Sequence, residues 1–141
     1  MNIFATFNRK SKRLDEIANI ASEFIAMSRS MAGNLIDQGD NATGFLGFSC
    51  GVIDAMSHQA GLDISDTGEV LRKYQSQAFN GDSQQIANAM AMAAQIPSST
   101  EWSHSIETGG RAALQFLQNK TGRPAAFFAL AKMLGKTESP T

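Results

Sequence analysis

The chain is poor in cysteine, in valine and in net charge, and each shortage excludes something. Its one cysteine, Cys50, cannot close an internal disulfide, so nothing ties the protein to an oxidising compartment. Two valines stand against twenty alanines. Alanine is the least costly residue in a helix, whereas β-branched and aromatic residues favour strands, so the composition argues against a sheet. Twelve basic and thirteen acidic side chains leave a net charge of −1, too little to draw the protein onto nucleic acid or an anionic membrane. No run approaches the ~18 apolar residues that a bilayer crossing needs. Phe4 and Phe7 precede Arg9, Lys10, Lys12 and Arg13, the reverse of a secretory signal, which makes the cytoplasm the expected location.

What is present is helical pattern. At 141 residues without internal repeats, the expected architecture is all-α: one domain of about six helices over residues 11–135. A loosely ordered segment is expected over residues 1–10 and a disordered tail over 136–141. Ser11, with Asp15 and Glu16 behind it, reads as the cap of a long helix over residues 11–35. Leu14, Ala21, Ser28 and Leu35 recur every seven residues, as do Ile17, Phe24 and Met31, which is the seam of a helix built to lie against another. A mostly apolar second helix follows over residues 45–60, with Gly61 suited to its C-terminal cap. Asp66 and Glu69 stand in the relation of a capping box for a third helix running to Phe79. Further helices are expected over residues 86–96, 98–119 and 125–134. Gly109 and Gly110 offer a place for the fifth to kink, and Pro124 a start for the sixth.

Charge is unevenly spread. Residues 37–69 carry six acids (Asp37, Asp40, Asp54, Asp63, Asp66 and Glu69) and neither lysine nor arginine, while both ends are mildly basic. The two signs meet either within one fold or across a contact between copies, unless they are simply solvated faces.

Three patterns carry potential chemistry. Gly47-Phe-Ser49-Cys-Gly51 fits the nucleophile elbow of α/β-hydrolases, with Asp82 and His104 following in the required order. That elbow needs a central strand behind it, and no strand-forming run is available. The preferred reading is close helix packing: Gly44, Gly47, Gly51 and Ala55 form a smooth ridge, and Gly109, Gly110 and Ala113 a matching one. Cys50, Asp54 and His58 stack on one helix face at intervals of four, and His104 adds a fourth candidate metal ligand from another element. A core thiol and a histidine near a helix C-terminus explain the same residues without a metal. Asp63, Ser65, Thr67 and Gly68 imitate half of a calcium loop, but Tyr74 occupies the position of the bidentate glutamate. No phosphate-cradling glycine motif is present, and no cofactor is expected.

The expectation for function is therefore contact: a small helical regulator, adaptor or inhibitor that binds another protein or itself, a homodimer being the expected form. Its interface would use Leu14, Ile17, Phe24, Met31 and Leu35 of the seam, with Phe127 and Leu130 of the last helix. The alternative is a small helical enzyme or a metal- or ligand-binding protein, using polar residues of the second and fifth helices: Ser49, Cys50, Asp54, His58 and His104. The basic run at residues 9–13 is too modest to make nucleic acid an expected partner.

Overall fold

The computed structural model describes residues 3–39, 41–78, 100–118 and 123–136. They form α1 (Ile3–Ala32), a 3-10 segment (Gly33–Asp37), α2 (Asn41–Gln59), α3 (Ile64–Ala78), α4 (Thr100–Gln118), α5 (Arg123–Phe127) and α6 (Ala129–Lys136), with no strand among the described residues. The fold is an all-α bundle, and no described helix is long and apolar enough to cross a membrane. The expected helix over residues 86–96 lies outside the described residues, as does the tail from residue 137.

Several boundaries differ from those expected, each for a local reason. Residues 3–10 contain neither proline nor glycine, so α1 extends upstream of Ser11, which is interior rather than a cap. At thirty residues, α1 is roughly 45 Å long. It stops where Gly33 takes a φ of 55°, which leaves Leu35, the last seam position, in the 3-10 turn. The cap of α3 is Asp63, not Asp66: its Oδ1 accepts the Asp66 N–H at 2.8 Å, the cap-to-third-residue bond that satisfies an orphan donor. Gly109 and Gly110 do not interrupt α4, because α2 supports the backbone there. The last helical segment is instead divided by a turn at Phe128, between α5 and α6.

The C-terminal stop of α2 is at Gly61, as the sequence indicates. With φ at 79°, Gly61 donates its N–H to the carbonyl of His58 at 2.9 Å, and Leu62 donates to that of Ser57 at 3.0 Å. These two bonds define a Schellman motif. Arg13 adds a guanidinium hydrogen bond to the Ala60 carbonyl, placing positive charge at the negative end of the helix.

Two parallel pairs organise the bundle. Lys10 meets Asp66 at 3.0 Å, Asp15 meets Lys73 at 2.7 Å, and Asn19 accepts a hydrogen bond from Gln77 at 2.9 Å. Partner numbers rise together, so α1 and α3 run in the same direction. The same register holds for α2 on α4, since Gly47 faces Trp102 and Ser105 while Gly51 faces Ile106 and Gly110. Part of the charge asymmetry is thus resolved inside the fold, with Lys10 of the basic run paired to an acid of the middle segment. Phe24 is the hub of the core: its ring centroid lies 4.8 Å from Phe116, 5.6 Å from Phe127 and 6.4 Å from Phe48. The buried face of α1 (Leu14, Ile17, Ala18, Ala21, Phe24, Ile25 and Ser28) supplies much of the rest.

Candidate functional site

Helix α2 turns two different faces to its neighbours. Residues two apart lie about 200° apart around a helix, so Ser49 points away from both Gly47 and Gly51. On the glycine face the backbones of α2 and α4 touch. A Cβ at Gly51 would stand 2.0 Å from the Ile106 carbonyl oxygen, and one at Gly109 would stand 2.0 Å from that of Phe48. One at Gly47 would stand 2.7 Å from the Ser105 side chain. Nothing larger than hydrogen fits at Gly51 or Gly109. The fourth glycine of this group, Gly110, meets its nearest neighbour at an ordinary 3.7 Å.

On the opposite face lies a cavity of about 280 Å³ between α1, α2 and α3. Helix α1 contributes Ser22, Ile25, Ala26 and Arg29, α2 contributes Phe45, Leu46, Ser49 and Cys50, and α3 contributes Leu71, Tyr74, Gln75, Gln77 and Ala78. The wall is mostly apolar, with a few polar groups set into it, which is the usual make-up of a small-molecule site. Its edge is fixed by Gln77, which donates to Asn19 at 2.9 Å and accepts from Ser22 at 2.9 Å.

The polar groups have defined states. The Ser49 hydroxyl donates to the Phe45 carbonyl at 2.9 Å and also has a side-chain hydrogen-bond contact with the Tyr74 phenol. Burial raises the Tyr74 pKa above its ordinary value, and Cys50 adds to the rise, against the opposing influence of the Ser49 hydrogen bond and the Arg29 charge. Burial also raises the Cys50 pKa, helped by the Asp54 carboxylate. Both groups are neutral at pH 7, and a protonated thiol is neither a good nucleophile nor a metal ligand. Gln75 is buried on the same wall, and its Oε1 has no hydrogen-bond donor among the described residues.

The residues singled out in the sequence are distributed as follows. Ser49 is in mid-helix, not at a strand-to-helix bend, so it does not have the elbow geometry, and His104 is exposed on α4, the partner of the glycine face. Cys50 lines the cavity, whereas Asp54 and His58 are exposed. Among the described residues, no three His, Cys, Asp or Glu side chains gather as a metal would require. Leu14, Ile17, Phe24 and Leu130 are core, Leu35 and Phe127 are partly buried against it, and Met31 alone of the proposed interface stands exposed. Gly47, Gly51, Gly109 and Gly110 meet at the α2–α4 crossing.

Sequence reading missed Arg29, Leu71, Tyr74 and Gln75 as members of one site. The only local signal was Tyr74 following Val70 at helical spacing, which marks a buried face and not a cavity. Comparison of the chain with protein-family models, with curated proteins and with solved structures found no match.

Proposed function

We propose that this bundle is a ligand-binding protein whose site is the cavity between α1, α2 and α3. The observation that carries this reading is the cavity itself, about 280 Å³ walled mostly by apolar side chains with Ser49, Tyr74 and Gln75 set among them. The neighbouring Tyr74–Ser49 pair gives a ligand an orienting polar edge, while Ile25, Phe45 and Leu71 supply apolar contact. The protonated thiol and the scattered histidines support binding over catalysis. Native mass spectrometry of protein from its own host is expected to show an added small-molecule mass that disappears on denaturation. A bare chain mass, together with a fragment screen that leaves the Tyr74 and Gln75 amide resonances unmoved, would sink the reading.

A second reading, a contact module that pairs with another protein or with its own copy, is favoured by one feature of α1. Ile20, Met27 and Met31 are 42%, 43% and 42% exposed, and their spacing of seven and four places them along one stripe. Met27→Glu is expected to shift a dimer to monomer in light scattering; a wild-type chain that is monomeric at high concentration dismisses self-association. Either role is compatible with the cytoplasm, where a lone thiol such as Cys50 remains reduced.

A further inference from the structure

We propose that the cavity selects a small amphiphilic monoanion, a carboxylate on an apolar body of about ten heavy atoms, whose charged end is held by Arg29. The assignment presupposes that the cavity is a ligand site, and it adds the class of ligand.

Three observations carry it. Arg29 is the only charged residue on the wall among the described residues, which give the cavity one positive group and no negative one. The guanidinium is not consumed by the protein: it forms no ion pair with a described residue, and its Cζ instead lies 5.7 Å from the centre of the Phe45 ring. A ring face orients the planar fork while leaving its N–H edges available, and that edge geometry matches the two oxygens of a carboxylate. The volume sets the body. An apolar cavity of ~150 Å³ accepts benzene, so about 280 Å³ takes a molecule nearly twice that size. Ile25, Leu46 and Leu71 give that body apolar contact. A single guanidinium, with no second cation beside it among the described residues, balances one negative charge, which favours a carboxylate over a doubly charged phosphate ester. A cationic amphiphile would meet Arg29 as a like charge, and a neutral one would leave the guanidinium unused.

The test titrates octanoate, octan-1-ol and octylamine into the labelled full-length protein, following the amide spectrum of wild type, Arg29→Gln and Arg29→Lys. Arg29 is exposed, so both variants are expected to fold, and their circular dichroism checks this. Octanoate is expected to bind wild type about tenfold more tightly than either other probe, the scale of one useful charge contact. The shifts should centre on Ser49, Cys50, Tyr74 and Gln75. Arg29→Gln should weaken octanoate alone, until it matches octan-1-ol, while Arg29→Lys should retain part of the preference. Equal affinities for the three probes, or a preference for octylamine, would overturn the anionic class and leave the cavity a ligand site. Octanoate binding that is unchanged in Arg29→Gln would overturn the role of Arg29. No shift at the cavity with any probe would overturn the class together with the ligand-binding reading.

Discussion

The two faces of α2 are both lined with small residues, yet one is closed and the other hollow. Against α4, Gly47 meets Ser105 and Trp102, Gly51 meets the backbone of Ile106 and Gly110, and Gly109 meets that of Phe48, so a missing side chain on either helix lets the backbones come together. Against α1 and α3, Ser49 and Cys50 line the cavity together with Ala26 and Ala78 and with the larger Ile25, Phe45, Leu71 and Tyr74. A small residue thus produces contact where the facing backbone itself comes in against it. Among these larger neighbours, it borders space.

The closed face should be the more sensitive. Gly51→Val places a branched side chain where even a Cβ is 2.0 Å from a backbone oxygen, and a backbone cannot move aside as a flexible side chain does. The helices must separate, at a cost of about 3 kcal/mol or more. Urea unfolding monitored by circular dichroism would show a large fall in midpoint, or no folded chain at all. A wild-type midpoint would mean that the crossing is looser than described, and the contrast between the faces would fail.

On the hollow face, Ser49→Ala removes the hydroxyl that hydrogen-bonds with the Tyr74 phenol. The expected loss is about 1–2 kcal/mol, less than at Gly51 because the cavity can admit water. Tyr74→Phe in the Ser49→Ala background should restore part of it. If the double variant is no more stable than Ser49→Ala alone, the pair contributes nothing and the polar edge of the cavity loses its rationale.

The closed face was far more legible in the sequence than the hollow one. Glycine inside a helix is costly, so Gly47, Gly51, Gly109 and Gly110 pointed to a close approach, which the backbones make at Gly51 and Gly109 but not at Gly110. The Gly61 stop was readable for a similar reason, because a left-handed cap leaves a residue-level signature. The seam from Leu14 to Phe24 was recognised as apolar, but periodicity specifies a face and not what covers it; its partners proved to be the chain's own helices. The cavity was illegible because Arg29, Ser49 and Tyr74 come from three separate helices, and their convergence depends on the parallel register of α1 and α3. That register rests on exposed pairs such as Lys10–Asp66, which look like ordinary solvated charges until the helices are set side by side.

The glycine face also contains its own control. Gly110 neighbours Gly109, yet a Cβ there would find Gly51 O at 3.7 Å and Ala55 at 3.8 Å, ordinary contact distances. Gly110→Ala should therefore stabilise the chain by about 0.5–1 kcal/mol through helix propensity, opposite in sign to any substitution at Gly51. Loss of stability instead would extend the tight crossing by another turn.

The smallest effect separates the faces by pH. Cys50 and Tyr74 both lie on the cavity side, and their folded pKa values are raised above 9.0 and 10.0, mainly by burial. Above pH 9 the folded chain consequently holds more protons than the unfolded chain, and the unfolding free energy falls as pH rises. The contribution is whole below pH 9 and is lost as pH climbs through the raised values. Because the chain has one cysteine and one tyrosine, the variant carrying Cys50→Ala and Tyr74→Phe removes both groups at once. Its urea midpoint should decline less steeply than wild type between pH 9 and 11, whereas Gly110→Ala should keep the wild-type slope. Equal slopes for all three proteins would show that the thiol and phenol are as hydrated when folded as when unfolded, and the cavity face would then be open to bulk water and not a shielded pocket.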